Sequence, residues 1–210
     1  MSEQAATVLV VDDDPSLCRS LQRLLASAGH RVETFTSAAD VLRRGFADEP
    51  ACLVLDLAMP GMDGLELQSR LTELGRDPEI VFLSGHAEVP SSVQAMKAGA
   101  VDFLTKPVDE AALLSAVSEA LARHRERLAA QRETAEASSR LAELTPRERE
   151  VAALVVQGRR NKEIAFELGI AEKTVKVHRG RVMEKTGARS TAELVQLWLL
   201  VPPGGDGSAS

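Results

Sequence analysis

No apolar run in this 210-residue chain approaches the roughly 20 residues that a membrane-crossing helix needs. The opening stretch, MSEQAATVLVVDDD, has no basic segment ahead of its short apolar run, so it reads as a strand and not as a secretion signal. Cysteine is scarce. Cys18 and Cys52 sit in no spaced pattern, which argues against a disulfide framework or a thiolate metal site. Two reduced thiols in a reducing cytoplasm are the expectation. No glycine-rich loop follows the first apolar run, so neither a dinucleotide site nor a P-loop is expected. What remains is an ordinary globular balance, 44% hydrophobic and 27% charged, with apolar material enough for two modest cores.

The net charge of −6 conceals two unlike halves. Residues 1–120 carry 9 Lys/Arg against 19 Asp/Glu, whereas residues 144–200 carry 11 against 7. An acidic front and a basic back suggest two modules with different partners.

In the acidic part, short β-rich runs recur at Thr7–Val11, Arg31–Phe35, Cys52–Leu57, Ile80–Leu83 and Val101–Thr105. Helical spacing lies between them. Leu17, Leu21, Leu24, Leu25 and Ala28 form one apolar stripe ended by Gly29, and Leu65, Leu67, Leu71 and Leu74 form another. Val93, Met96 and Lys97 belong to a third helix closed by Gly99. Five strands interleaved with helices predict an α/β domain: a flavodoxin-like, doubly wound parallel sheet of order 2-1-3-4-5.

No Pro or Gly interrupts residues 110–143, so the last sheet-packing helix is expected to extend into a helical linker, with Ser138-Ser139 as its hinge. Leu114, Val117, Leu121, His124, Leu128, Gln131 and Ala135 make a weak heptad-like stripe. It suits either pairing with a second chain or a solvated spacer. Residues 145–200 show no strand-like alternation. Thr145, Pro146 and Glu148 have capping-box spacing, and Gly158, Gly169 and Gly187 divide the segment into four short helices. A helix ending in Gly169, a short turn and a basic helix make helix-turn-helix grammar. The second helix offers Lys173, Lys176, Arg179 and Lys185, with Thr174 and His178, to a major groove; a solvated basic face is the plainer alternative. PPGGDGSAS at the end reads as a disordered tail.

In a parallel doubly wound sheet, ligands bind beyond the carboxyl ends of the strands, where strand order reverses. Asp12 and Asp13 end the first strand, Asp56 the third and Ser84 the fourth; Lys106-Pro107 follows the fifth. Crowded carboxylates suit Mg²⁺, and a compact lysine charge suits phosphoryl oxygens. An aspartate oxygen so placed can attack a phosphoryl donor. Taken singly, Asp14, Ser37 and the others are ordinary helix caps or surface residues. Together, at successive strand ends, they make a site.

VLVVDDDPSL, LVLDLAMPGMDGLEL, VFLSGHAE and AGAVDFLTKPVD closely resemble the response-regulator receiver domain over residues 5–122. The stretch from LTPREREV to STAELV, within residues 141–200, resembles the LuxR-type helix-turn-helix domain. Together they are similar to the NarL/FixJ family of response regulators, closest to its FixJ-like branch. The resemblance implies that Asp56 is the phosphoacceptor, and that Asp12, Asp13, Asp56 and the Ala58 carbonyl hold Mg²⁺. It makes Ser84 the switch hydroxyl, Phe103 its coupled aromatic and Lys106 the phosphate-pairing lysine before a cis Pro107. Ala58 and His86 flank the site, where members of the family tune phosphoryl lifetime. Lys176 and Val177 match base-contacting positions, while Lys173, Thr174, Arg179 and Arg181 match phosphate or adjacent base contacts. Gly180 departs from members with a long polar residue there.

The implied protein is a cytoplasmic two-component regulator and not a free-standing enzyme. Its partners would be a sensor histidine kinase, double-stranded DNA at a two-fold promoter site, a second copy of itself on phosphorylation and RNA polymerase, with no membrane. The division expected is a receiver at 5–122, a helical linker at 123–140, a helix-turn-helix domain at 141–200 and a tail at 201–210. Two rivals follow from the same residues. One is a Mg²⁺-dependent phosphohydrolase, against which the short strand–helix loops argue. The other is a constitutive DNA-binding protein whose acidic domain is a dimerisation scaffold only.

Overall fold

A computed structural model describes residues 7–44, 50–85 and 99–201. The helix expected around Val93, Met96 and Lys97 lies outside the described residues, as do His86 and the tail beyond Val201. The chain divides into two compact units, one ending at Arg127 and one beginning at Leu128.

The first unit is built on β1 (Thr7–Val11), β2 (Arg31–Phe35), β3 (Pro50–Asp56), β4 (Glu79–Ser84) and β5 (Asp102–Thr105), all parallel, in the order β2-β1-β3-β4-β5. This is the doubly wound sheet expected from the alternating texture. β1 is buried throughout because alternate side chains enter different layers. Val8 and Val10 face one layer with α1 (Pro15–Ser27) and the start of α4 (Glu110–Ala142). Leu9 and Val11 face the other with α2 (Ala38–Arg44) and α3 (Gly64–Glu73).

Local chemistry starts each helix where it is needed. The Asp14 side chain accepts the Ser16 N–H at 2.7 Å and Pro15 opens α1, so the chain turns into helix directly after the acidic run. Asp63 caps α3 by accepting from Glu66 N at 2.8 Å. The stripe read into α3 runs true through Leu67 and Leu71, which are fully buried, but Leu74 is 65% exposed. It is the residue that caps the helix end, so its side chain leaves the buried face as the chain turns at Gly75.

The heptad-like stripe of α4 is not free for a second chain over its first half. Val117, Leu121 and His124 are buried and Leu114 packs on the core, because this half of the helix covers the sheet. Nor does the helix break at Ser138-Ser139; it continues to Ala142. Ala137 and Leu141 on either side are buried, and that packing outweighs the mild helix cost of two serines.

The second unit holds α5 (Pro146–Val156), α6 (Asn161–Leu168), α7 (Glu172–Thr186) and α8 (Thr191–Leu199). Its core centres on Leu141, Val151, Val155, Ile164, Val175, Val182 and Leu194. The capping box expected at α5 is present: Thr145 N donates to Glu148 at 3.0 Å and Glu148 N to Thr145 Oγ1 at 3.3 Å. Gly169, at φ 64°, is left-handed, which lets the backbone reverse between α6 and α7 without a Cβ penalty.

Candidate functional site

Parallel register delivers the strand ends to one place. Val11 pairs with Leu55, so Asp12 and Asp56 emerge side by side between β1 and β3. Asp56 pairs with Leu83, which sets Ser84 one residue further along β4. Ser84 pairs in turn with Thr105, and its carbonyl accepts the Lys106 N–H at 2.7 Å. Carboxylate oxygens of Asp12, Asp13 and Asp56 lie within 4.8 Å of one another.

Burial makes this crowding expensive. Asp12 is fully buried and Asp56 is 3% exposed, while Asp13 faces solvent. Lys106 supplies the counter-charge, its Nζ 2.6 Å from Asp12 Oδ2 and 3.1 Å from Asp56 Oδ2. Asp14 N donates to the other Asp12 oxygen at 2.9 Å. Burial pushes the Asp56 carboxyl above the usual carboxylate range and the Asp12 charge adds to the rise; hydrogen bonds from Lys106 and the Ala58 backbone oppose it. Burial disfavours the Lys106 ammonium, but its bonds to Asp12 and Asp56 outweigh this and raise its pKa. The donor set is hard oxygen only, with one exposed carboxylate at the rim and more negative charge than one lysine can offset. Those features suit Mg²⁺. Ser84 is buried, Phe103 is half-buried on β5, and Lys106-Pro107 is cis.

Two contributors escaped sequence reasoning. A Cβ on Gly64 would stand 2.6 Å from the Asp56 carbonyl oxygen and 3.1 Å from Leu57 Cα, so only glycine lets α3 begin this close behind the acidic residue. The Asp63-Gly64 pair at a helix start was the available signal. Cys18, on the buried face of α1, points its sulfur at the Asp12 carbonyl, 3.3 Å away, and nothing in its sequence spacing announced this.

On α7 the expected surface residues separate into two groups. Lys173, Thr174, Lys176, Val177 and Arg181 are exposed, Val177 by 49%, on one face of the helix. Gly180 lies among them with open space where a side chain would be. His178 is half-buried, and its ring Nδ1 is buried with no hydrogen-bond partner among the described residues. Arg179 and Lys185 are engaged within the unit. Arg179 donates to Asn161 Oδ1 at 2.9 Å and to Thr191 Oγ1 at 3.5 Å. Lys185 lies 2.6 Å from Glu148 Oε2 and 3.2 Å from the Glu143 carbonyl. Glu148 is 2% exposed, and its bonds from Lys185 and Thr145 hold its carboxyl down at about 2.

Residues 8–118 match the response regulator receiver domain, and residues 142–198 match the luxR family of bacterial regulatory proteins. The chain is 47% identical to nodulation protein W of Bradyrhizobium diazoefficiens, over 91% of this chain and 85% of that one. It is 42% identical to the transcriptional regulatory protein FixJ of Azorhizobium caulinodans, over 94% and 93%. Among solved structures, the response regulator StyR superposes with a TM-score of 0.85 at 47% identity, covering 93% of this chain and 98% of that one. Full-length FixJ from B. japonicum gives 0.57 at 37%, covering 93% and 96%.

Proposed function

The chain belongs to the two-component transcriptional response regulators that join a receiver to a LuxR-type DNA-binding domain, and on that premise we propose that Asp56 is its phosphoacceptor and that phosphorylation drives dimerisation on DNA. The reading rests on one observation above all: the buried Asp56 carboxylate is held 3.1 Å from Lys106 beside two further carboxylates.

An Asp56 oxygen attacks the phosphorus of a phosphohistidine on a sensor kinase. A P–O bond forms, the P–N bond breaks and the histidine nitrogen keeps the electron pair. Asp12, Asp13, Asp56 and the Ala58 carbonyl would hold Mg²⁺, which when bound supplies positive charge against the carboxylates and the phosphoryl oxygens. Lys106 trades its contact with Asp12 for a phosphoryl oxygen. The Ser84 hydroxyl donates to another, and Phe103 follows it inward. The group adds roughly −1.5 to −2 charges, enough to bias a two-state surface. The receiver turns over no substrate other than its own aspartate.

Two phosphorylated chains then associate through the receiver face around residues 88–118, part of which lies outside the described residues. Their helical domains engage a two-fold duplex site. Lys173, Thr174, Lys176, His178 and Arg181 serve phosphates and base edges, and Val177 an apolar base contact. The working division is receiver 5–122, linker 123–140, DNA-binding domain 141–200 and tail 201–210. The protein works in the cytoplasm, with RNA polymerase as the further partner at the promoter. No helix among the described residues is long and apolar enough to cross a membrane.

Asp56→Asn should abolish both labelling by acetyl phosphate and acetyl-phosphate-dependent dimerisation, read by light scattering. Unchanged dimer formation would defeat the proposal.

A further inference from the structure

Of the five cationic side chains on α7, two are already committed inside the helical unit. Arg179 stands midway along the helix. Its guanidinium spans Asn161, the first residue of α6, and Thr191, the first residue of α8. Lys185 stands near the C-terminal end. Its ammonium joins the buried Glu148 carboxylate of α5 and the Glu143 carbonyl that follows α4. At about 100° per residue, Lys173, Lys176, Val177 and Arg181 share one arc of the helix surface, and Arg179 and Lys185 fall about 100° or more from its middle, on opposite flanks.

We propose that Arg179 and Lys185 are positioning residues for DNA binding and not phosphate contacts: they clamp α7 from its two sides and so set its roll about its own axis. The proposal rests on the DNA-binding reading above. It assigns to the two residues a different role from their exposed neighbours. The roll decides whether Lys173, Lys176, Val177 and Arg181 meet the groove together, and side-chain readout of base edges depends on that registration.

The chemistry of the two clamps supports the assignment. Glu148 is 2% exposed and its Oε2 accepts from both Lys185 and the Thr145 N–H, so a lysine leaving it for a phosphate would strand a buried charge with one neutral donor. No such loss attends Lys173, Lys176 or Arg181, which are exposed. Arg179 uses the two ends of its planar fork on two different helices, a reach that a single ammonium cannot reproduce.

Salt dependence separates the two roles, because each phosphate contact contributes about 0.9 to the slope of log affinity against log salt on duplex DNA. The full chain, treated with acetyl phosphate and Mg²⁺, is titrated onto duplexes that the wild type enriches from a random pool and onto a scrambled duplex. Lys173→Ala and Arg181→Ala should lower the slope by about 1 on both. Arg179→Gln and Lys185→Met should leave the slope unchanged and cut the preference for enriched over scrambled duplex roughly tenfold, the size of one lost base contact. Arg179→Lys keeps the charge and should lose the preference equally. Circular dichroism checks the fold; if Lys185→Met unfolds, the neutral pair Glu148→Gln/Lys185→Met takes its place. A slope that falls by about 1 in Arg179→Gln or Lys185→Met, an unchanged preference, or full rescue by Arg179→Lys each overturns the positioning role alone. A wild type that enriches no duplex overturns the DNA-binding reading and this proposal with it.

Discussion

The same substitution should have opposite effects at two helical glycines. At Gly64, the first residue of α3, an added Cβ meets the Asp56 carbonyl oxygen at 2.6 Å, Phe82 Cε1 at 3.0 Å and Leu57 Cα at 3.1 Å. Two of these neighbours are backbone, and the Gly64 N–H is itself bonded to the Leu57 carbonyl at 2.9 Å, so neither side yields cheaply. Overpacking of this kind costs about 1–3 kcal/mol, and at a first helical position little propensity gain offsets it. A net loss of about 2 kcal/mol lowers the melting temperature of a domain this size by about 8 °C. Because the displaced oxygen belongs to Asp56, labelling by acetyl phosphate should slow as well, by roughly tenfold for a displacement well under 1 Å. At Gly180, inside α7, the same Cβ meets nothing within 4 Å. Alanine there relieves an interior helix glycine and should stabilise the C-terminal unit by about 1 kcal/mol, raising its transition by about 4–8 °C. Calorimetry of the full chain with acetyl-phosphate labelling reads both. A Gly64→Ala protein that melts at or above wild type with normal labelling would show that this close approach does not constrain the Asp56 backbone.

Lys106→Met should destabilise the receiver in the absence of divalent ions by about 3–5 kcal/mol in urea unfolding, since it leaves two buried carboxylates without their counter-charge, and Mg²⁺ should recover part of the loss. Asp13→Asn should melt near wild type without metal, because Asp13 is exposed, yet fail to gain the roughly 1.4 kcal/mol that Mg²⁺ at ten times its dissociation constant gives the wild type. Glu148 has a depressed carboxyl, so its stabilisation is present above its ordinary value of 4.5 and is lost as pH falls towards about 2. Glu148→Gln should flatten that part of the acid-unfolding curve of the C-terminal unit; an unchanged curve would show that the carboxylate is not the group responsible.

Much of the architecture was legible because it is set by neighbours in the chain. β1 and β2 fall on the residues expected, since a five-residue β-rich run between turn signals leaves little latitude. The capping box at Thr145 and the left-handed Gly169 are likewise local events within a few residues. The acidic set could be named because parallel strands carry their end residues to one edge whatever their side chains do.

Contacts between residues far apart in sequence were decided by packing. Lys106 reaches Asp12 across 94 positions, and the successive pairings of β1 with β3, β3 with β4 and β4 with β5 set that reach. A heptad spacing in α4 is the same whether it faces a sheet or a second helix, and the sheet claimed its first half. A lysine or arginine on a helical wheel shows no partner, so Arg179 and Lys185 could not be told from Lys173 until α5, α6 and α8 were folded around them. Periodicity and capping act over about one helical turn and so can be read in the sequence, whereas side-chain pairing depends on which surfaces meet, and that is settled only when the cores close.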